Sequence, residues 1–396
     1  MTKATREKSV QQVFGYHERT KHQFGRYARA PLGLGWDTQP NPFLRYTGAS
    51  LVSLRHVPVS EVPRYEEAFI EGNVTPRALD RESVSQLFTD SLALSAWKQA
   101  GDMSWSLRTN PSSGNLHPTE AYLLCGPVEG LCERVLIGHY AAKEHALERR
   151  GEFDLATWRA LSDGYPQSTI FVGLTSIHWR EAWKYGERAY RYCQHDLGHA
   201  IAALSMAAAG LGWQATLMDE LGTDEVAKLL GVHGSIGPEA EVADAILAIH
   251  PQGECVPPRF SAAVIEQMAA IPWQGTACAL SPEHVEWSCI TDVSTAVAKP
   301  ASATGLPPRE TTGAPLSVDH APVFLREIIR QRRSAVALDG RTGLARDGFY
   351  QVLRKVPSRT ATVSVQRAAV GPADRPRAVR SPSRGSQPST VPAGSG

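Results

Sequence analysis

The chain has 396 residues, of which 41 are basic and 40 acidic, so its formal net charge is +1. This length suffices for one large hydrophobic core or two smaller ones, and the balanced charge excludes a global field that would draw the protein to nucleic acid or an anionic membrane. The N-terminus is polar, and the most apolar stretch, residues 201–213, is too short to span a bilayer. Six cysteines without a C-x-x-C pair indicate reduced, mostly buried thiols, so we expect a soluble, cytoplasmic protein.

The first part of the chain changes from irregular to periodic at Asp80. Residues 1–79 are rich in Pro, Gly and aromatic side chains and predict an irregular segment that covers a body built elsewhere. Residues 80–101 have apolar residues at helical spacing and predict one helix or two short ones. Aliphatic and aromatic runs then predict three strands and a short helix. The strands are residues 120–126, 134–141 and 168–176, and the short helix is residues 158–164.

The most helical stretch is residues 179–212, which is rich in Ala and ends in Gly-Leu-Gly. Its second half is apolar nearly all round, so it predicts a central buried helix. Two more strands follow, at residues 213–219 and 242–251, with a helix at 224–232 between them. Helices that alternate with a modest number of strands indicate an α+β protein.

The C-terminal part changes composition twice. Residues 251–320 are rich in Pro, Ala and Thr and predict a linker or covering segment, whereas residues 321–356 predict two helices. Residues 357–396 contain six Pro, six Arg and one acidic residue, so they predict a disordered tail. Its positive charge has no interleaved aromatic residues for base stacking, and we expect no specific nucleic-acid partner.

The densest set of turn-forming and hydrogen-bonding residues lies in residues 108–124, immediately before a predicted strand. Pro111 fixes its backbone angle, Gly114 permits a tight turn with close approach of a ligand, and Arg108 can bind a phosphate or a carbonyl oxygen. The short polar side chains are those of Ser112, Ser113 and Asn115. These residue types suit both a loop along the polar edge of a flat cofactor and a plain surface turn, and alone they do not decide between the two.

The sequence LRTNPSSGNLHPTEAY, residues 107–122, closely resembles the flavin-contacting loop of the nitroreductase-like family, in particular its SagB/ThcOx dehydrogenase branch. Residues 183–212 resemble the segment that follows in the same branch, and the resemblance covers roughly residues 80–250. It implies a nitroreductase-like α+β fold, with a central, mostly antiparallel sheet and a long buried central helix, and it implies FMN as cofactor. The flavin contacts that it implies are Arg108, Pro111, Ser112, Ser113, Gly114, Asn115 and His117.

The same resemblance gives a role to Lys184 and Tyr185, because azoline-oxidising members of the family have a Lys-Tyr pair at this place. The two residues would transfer protons beside the flavin, and a desolvated lysine can have its pKa lowered into a useful range. The alternative is a helix with a solvated basic face and tyrosines packed beneath it. His195 and His199 have a spacing that can chelate a metal, but no third ligand is evident, so we predict structural histidines and no metal.

Arg332, Arg333 and Ser334 resemble the Arg-Arg-Ser sequence with which a nitroreductase helix grips the FMN phosphate. The alternative is a basic helix end that is favoured by the helix dipole. The resemblance implies a second repeat, which the change of composition near Val356 suggests is interrupted by truncation or an altered reading frame. The predicted organisation is an irregular covering segment (1–79), an FMN-binding domain (80–250), a linker (251–320), the start of a second repeat (321–356) and a disordered tail (357–396).

The predicted function is that of an FMN-dependent oxidoreductase that transfers hydride through flavin N5. The substrate would be an azoline-like heterocycle in a modified peptide, which is oxidised to an azole. Two alternatives stay open: an NAD(P)H-dependent reductase of nitro compounds or quinones, and a non-catalytic scaffold or partner subunit. Because the family binds FMN between two nitroreductase-like units, we also expect a homodimer.

Overall fold

The computed structural model describes residues 3–253, 259–302, 323–335 and 337–355. The predicted tail and 23 of the 70 residues of the predicted linker lie outside these residues. The first half contains α1 (Lys3–Thr20), β1 (Tyr46–Thr47), β2 (Leu51–Ser53), α2 (Arg81–Ser91), β3 (Leu94–Ala100), β4 (Met103–Arg108), β5 (Thr119–Cys125), β6 (Val135–Ala141), β7 (Ala146–Phe153), α3 (Leu155–Leu161), β8 (Ile170–Ile177) and α4 (His178–Tyr185). The second half contains α5 (Ala189–Ala209), β9 (Trp213–Leu217), α6 (Thr223–Leu230), β10 (Glu241–Pro251), α7 (Ala262–Ala269), β11 (Thr276–Ala277), α8 (Ser288–Ala296), α9 (Leu325–Gln331) and α10 (Arg346–Lys355).

Seven strands form the central sheet in the order β2-β7-β6-β5-β8-β10-β9, and each neighbouring pair is antiparallel. The side chains of β5 alternate between two hydrophobic cores. Tyr122 and Leu124 enter one core, while Leu123 and Cys125 enter the other, as the two-residue period of a strand requires. Helices α2 and α5 contribute to the second core, and α3, α4, α6, α7 and α8 contribute to the first. The predicted α+β class with a central antiparallel sheet and a long central helix is therefore confirmed.

Helix α2 begins where the sequence predicts, but the residues after it form strands. Asp80 caps the helix through a capping box, in which its carboxylate accepts from the Ser83 amide at 2.7 Å. Residues 94–100 were expected to continue the helical region, yet they form β3 and pair with β4 around a turn at Gly101. This prediction is wrong because Ala, Lys and Gln favour helices locally, whereas cross-strand pairing with residues 103–108 decides the outcome.

The predicted helix over residues 179–212 is interrupted at Gly186. Gly186 has a φ of +51°, and a Cβ built on it would lie 2.6 Å from the carbonyl oxygen of Arg29. The N-terminal segment therefore approaches the backbone so closely that only glycine fits here. The chain forms α4, a short 3-10 turn and then α5, which spans 21 residues. The prediction of one continuous helix is wrong at this point because it was made without the packing of a remote segment.

The N-terminal residues contain helix α1, although we expected residues 1–79 to be irregular. Its Tyr16 hydroxyl donates to the Glu187 carbonyl oxygen at 2.7 Å, and its Arg19 guanidinium pairs with the Glu187 carboxylate at 2.5 Å. Few apolar residues occur at helical spacing in α1, so its partners, more than 160 positions away, could not be read from its own pattern. The expected linker likewise contains α7 and α8.

Helix α9 lies against the body of the protein. Its Leu325 and Ile329 form a small core with Ala68 and Ala209, and its Arg326 pairs with the buried Asp90 at 3.0 Å. Helices α9 and α10 both occur where the sequence predicts two helices. The assignment of these residues to a second repeat stays a prediction. Among the described residues, no helix combines the length and the apolar character needed to cross a membrane.

Candidate functional site

The loop between β4 and β5 has an unusual backbone. Gly114, Asn115 and His117 have φ values of +60°, +61° and +51°. The left-handed region costs about 1–2 kcal/mol for a residue with a side chain, so this conformation persists only where contacts hold it. The sequence predicted a tight turn at Gly114, and the structure adds two strained non-glycine positions directly after it.

Asp196 on α5 is the main anchor of this loop. Its carboxylate accepts from the Ser112 hydroxyl at 2.7 Å, from the Ser113 hydroxyl at 3.0 Å and from the Ser113 amide at 2.9 Å. Burial raises the pKa of Asp196, and the bonds from Ser112 and Ser113 oppose that rise. Sequence reasoning considered only the histidines of residues 195–199 and missed this residue. A carboxylate within a largely apolar helix was the available signal, because such a group requires buried donors.

Four further hydrogen bonds fix the end of the loop at His117. The His117 amide donates to the Ser112 hydroxyl oxygen at 2.8 Å, and the Asn115 side chain donates to the Ser106 carbonyl oxygen at 2.8 Å. Asn115 Oδ1 lies 3.0 Å from His117 Nε2, and Arg180 donates to the His117 carbonyl oxygen at 2.7 Å. Burial, with the nearby Arg108 and Arg180, holds the pKa of His117 well below its ordinary value. The imidazole is therefore neutral, and its buried Nδ1 has no partner in the described part of the chain.

Lys184 and Tyr185 lie against Gly114. A Cβ built on Gly114 would be 2.6 Å from Tyr185 Oη and 3.2 Å from Lys184 Nζ, so a larger residue would require these side chains to move. The structure thus brings the predicted catalytic pair, from the end of α4, together with the predicted cofactor loop. Both side chains are half-buried. Burial, followed by the neighbouring Glu181, raises the pKa of Tyr185 to about 12, so its hydroxyl keeps its proton at neutral pH.

Glu181 lies one turn before Tyr185 and was not recognised from the sequence. Its side chain is fully buried, and neither carboxyl oxygen has a hydrogen-bond partner among the described residues. Burial and the like charge of Asp196 raise the pKa of Glu181 well above its ordinary value, while Lys184 opposes the shift. Two acidic side chains thus lie behind the predicted catalytic pair, and burial favours the protonated form of Glu181.

Arg108 has its guanidinium bound to backbone oxygens. It donates to the Pro42 carbonyl oxygen at 2.6 Å and to the Thr119 carbonyl oxygen at 3.4 Å, and it is buried. Desolvation lowers its pKa, and the like charge of Arg180 adds to that effect. These contacts tie the start of the loop to β5 and to the N-terminal segment.

The Arg-Arg-Ser sequence lies beside the same loop although it is more than 200 residues away along the chain. Arg332 donates to the Thr109 carbonyl oxygen at 3.2 Å, two residues before Pro111, and its Nε is buried without a partner among the described residues. Arg333 is exposed and reaches the Ser95 carbonyl oxygen at 3.5 Å. Ser334 is exposed. The structure therefore places cationic groups at the start of the loop, next to the β3–β4 hairpin.

A buried charged network connects the loop to the sheet. Arg180 pairs with Glu120 at 2.5 Å, and His139 lies between Glu120 at 3.1 Å and Glu148 at 2.9 Å. Burial alone would raise the pKa of Glu120, but Arg180 and His139 outweigh it and lower the value to about 2. Burial alone would lower the pKa of His139, but its two carboxylate partners raise it to about 9. His139 is thus an imidazolium that joins two carboxylates and makes the support of the loop rigid.

The two histidines that were considered for metal binding lie on α5 near Asp196. His199 is half-exposed, with Nδ1 3.9 Å from the Asp196 carboxylate. Burial lowers the pKa of His195, and Arg191 adds to that effect. Within the described residues, no group of three or more His, Cys, Asp or Glu side chains is arranged to hold a metal ion.

Comparisons with known proteins bear on the fold of the chain. Residues 73–240 match the model of the nitroreductase family, and this region includes the loop, Lys184, Tyr185 and Asp196. A candidate nitroreductase from Anabaena variabilis is similar in structure, with a TM-score of 0.55 and 22% sequence identity over 83% of this chain. The chain covers 65% of the length of that protein. The chain therefore has the nitroreductase fold, and residues 73–240 are the part that matches the family model.

Two more distant structures were found. A candidate nitroreductase from Ralstonia eutropha has a TM-score of 0.37 and 15% identity, over 57% of this chain and 98% of its own. A chain of the E. coli microcin synthetase McbBCD complex has a TM-score of 0.37 and 15% identity, over 64% of this chain and 95% of its own. A search of curated proteins found no significant match.

Proposed function

We propose that this protein is an FMN-dependent oxidoreductase whose cofactor lies along residues 111–115. The observation that carries the proposal is the position of Gly114, against which Tyr185 Oη and Lys184 Nζ lie so closely that a Cβ there would displace them. A strained loop, a protonated phenol and an amine thus converge at one point. Strained backbone of this kind is concentrated at ligand sites, where the surrounding contacts maintain it.

The residues present fit a flat anionic cofactor. Pro111 and Gly114 offer a surface without large side chains, and Arg332 and Arg333 offer cations beside Thr109 for a phosphate. Arg332 Nε is an orphaned buried donor, and His117 Nδ1 is an orphaned buried acceptor. Ser112 and Ser113 both donate their hydroxyl hydrogens to Asp196. Towards a ligand, their hydroxyl oxygens would therefore act only as hydrogen-bond acceptors. We infer that Arg108 positions the loop, since backbone oxygens accept from both of its terminal nitrogens, while its buried Nε has no partner in the described part of the chain.

FMN, when bound, accepts or donates hydride at its N5 atom. The protein would orient the ring through the loop and supply proton transfer through Lys184 and Tyr185. Tyr185 keeps its proton at neutral pH and can act as a general acid, and the Lys184 amine beside it can exchange protons with the reacting centre. Glu181, buried behind Lys184, would hold a proton without contacting substrate.

For the substrate we propose an azoline-like heterocycle in a modified peptide, which is oxidised to the azole. Loss of a C–H proton accompanies hydride transfer in that reaction, and Lys184 with Tyr185 would receive and release it. Reduction of nitro compounds or quinones with NAD(P)H uses the same pair in the opposite sense, as a proton source. A second copy of the chain would supply the opposite wall of the site, as a homodimer.

The test is the flavin content and turnover of the purified full-length protein. We expect a yellow protein that releases FMN, and we expect Lys184→Ala to lose about 100-fold or more in turnover, as the loss of a general acid or base does, with FMN content unchanged. Turnover is measured with NADPH and a quinone, and by the mass loss of two hydrogens from an azoline peptide. Lys143→Ala is the matched control, because Lys143 is exposed and lies over the Phe43 ring.

A colourless protein that FMN cannot reconstitute would contradict the proposal and favour the non-catalytic scaffold. Equal losses of FMN and turnover in Lys184→Ala would show that Lys184 holds the cofactor and does not transfer protons.

A further inference from the structure

Two cysteines outside the proposed site have their sulfur atoms in contact. Cys125 ends β5 and Cys132 lies in the loop that leads to β6, and their Sγ atoms are 3.8 Å apart. Strand β5 begins just after the cofactor loop, so the pair lies at the opposite end of that strand. Among the cysteines in the described residues, only these two have sulfur atoms in contact with each other.

The two thiols differ in access to solvent. Cys125 is completely buried in the core, whereas Cys132 is half-buried and lines an open recess of about 680 Å³. The recess is also lined by Arg134, Arg149 and Glu152, and both arginines pair with Glu152. A small solute can therefore reach Cys132 but not Cys125.

The two thiols also differ in their pKa values. The hydrogen bond with Cys125, the backbone of Val128 and the charge of Arg149 lower the pKa of Cys132 to about 7 against the opposing effect of burial. The hydrogen bond to Cys132 and burial raise the pKa of Cys125 well above its ordinary value. Cys132 is thus the more acidic thiol of the pair and is partly ionised near neutral pH, whereas Cys125 keeps its proton.

We propose that Cys132 is a peroxide-reactive thiol and that Cys125 resolves its oxidised form as an intramolecular disulfide. The Cys132 thiolate attacks a hydroperoxide, so that an S–O bond forms and the O–O bond breaks. The leaving oxygen takes up a proton, and Cys132 becomes a sulfenic acid. Cys125 then attacks that sulfur, the S–S bond forms, the S–O bond breaks and water leaves with the proton from Cys125. Two thiols are oxidised by two electrons in total, and one hydroperoxide is reduced.

The geometry permits this bond after a small movement. A disulfide has a sulfur–sulfur distance of about 2.05 Å, so the present 3.8 Å must shorten by about 1.8 Å. Cys125 is fixed in the central sheet, but Cys132 follows a turn in which Glu129 and Gly130 are exposed. Val128 and Cys132 exchange two backbone hydrogen bonds that close this turn, so the sulfur atoms would approach by rotation of the Cys132 side chain with a small adjustment of the turn.

The experiment uses the full-length protein, treated with hydrogen peroxide, blocked with an alkylating reagent and mapped as peptides by mass spectrometry. We expect a linked Cys125–Cys132 species that lacks two hydrogens and that dithiothreitol reduces. In Cys125→Ser we expect a sulfenic acid at Cys132, trapped by dimedone. In Cys132→Ala we expect neither product, and because Cys132 lies outside the fully buried core, this variant should fold.

Cys289→Ser is the matched control, since Cys289 is also half-buried but contacts no second thiol in the described residues, and its oxidation products should equal those of the wild type. The proposal is overturned if peroxide modifies other cysteines of the wild type while Cys125 and Cys132 stay reduced. It is also overturned if dimedone labels Cys132 equally in the wild type and in Cys125→Ser. The wild-type peptide map decides the matter even if Cys125→Ser does not fold.

Discussion

Glu181 places an ionisable group in the interior, where neither of its carboxyl oxygens is hydrogen-bonded within the described residues. Its pKa in the folded protein lies well above the ordinary value of 4.5, chiefly because of burial. The folded state therefore binds a proton that the unfolded chain releases as the pH rises above about 4.5. The stability that this group contributes is complete at low pH and is lost as the pH rises towards the folded-state pKa.

We predict that Glu181→Gln makes the unfolding free energy depend less on pH in this range. The wild type should lose about 1.4 kcal/mol of unfolding free energy per pH unit relative to the variant, between the unfolded and folded pKa values of Glu181. Urea unfolding from pH 4.5 to 8 measures the unfolding free energy of both proteins. The slope of this free energy against pH is compared, and not its absolute value, because burying the amide that replaces the Glu181 carboxyl has a cost of its own at every pH. Glu133→Gln, at an exposed position, is the control. Parallel profiles for wild type and Glu181→Gln would show that Glu181 is ionised in the folded protein.

The residues of the candidate site differ in how well the sequence could reveal them. The loop with Gly114, and the pair Lys184 and Tyr185, stand in continuous motifs, so a resemblance was enough to select them. Asp196 and Glu181 matter because of surrounding side chains that belong to other elements. A single acidic residue in the sequence of a helix does not indicate which residues will surround it in the fold. Burial is a property of the assembled fold, so these two could be recognised only after α4, α5 and the loop were placed together.

At the level of elements, the loop at residues 111–117 combines backbone strain with a close contact. A comparison of two glycines distinguishes the two effects. Gly101 and Gly114 have nearly the same φ, +58° and +60°, but a Cβ on Gly101 would meet nothing within 4 Å. Alanine at Gly101 should therefore show the backbone cost alone. Alanine at Gly114 should add the overlap with Tyr185 Oη.

We predict that Gly101→Ala loses about 1 kcal/mol of stability and that Gly114→Ala loses a further 1–3 kcal/mol. On the proposed function, Gly114→Ala should also lose FMN, because Tyr185 or the loop must move to admit the methyl group. Thermal unfolding and the FMN-to-protein absorbance ratio measure the two effects. Equal stability of the two variants, with FMN retained in both, would show that Tyr185 yields easily and that the contact does not shape the site.

The elements that the sequence predicts well are those with a strong pattern of their own. Strands β5, β6, β8, β9 and β10 have continuous apolar runs because the sheet is covered on both faces, and such runs are recognised without their partners. The break at Gly186 has another origin, since the carbonyl oxygen of Arg29 lies too close for a side chain. Helix α1 and the β3–β4 hairpin depend in the same way on contacts that no local window contains.

At the level of the whole molecule, Arg326 joins the C-terminal part of the described chain to the N-terminal part. It pairs with Asp90 at 3.0 Å and donates to the carbonyl oxygens of Val62 at 2.6 Å and Gly210 at 3.3 Å. Both members of the pair are buried. A buried pair contributes little compared with apolar residues in its place, but removal of one member leaves the other charge uncompensated.

We predict that Arg326→Met lowers the unfolding free energy by about 3–5 kcal/mol, because Asp90 stays buried without its main partner. Urea unfolding measures the loss, and the double variant Asp90→Asn with Arg326→Met should recover part of it, since the buried charge is then absent. Arg341→Met, at an exposed position, should change stability by less than about 0.5 kcal/mol. If Arg326→Met is as stable as Arg341→Met, α9 is not held to α2 in solution. Arg332 would then lose the support that places it beside Thr109, and the cationic side of the proposed cofactor site would have to come from another part of the chain or from a second copy.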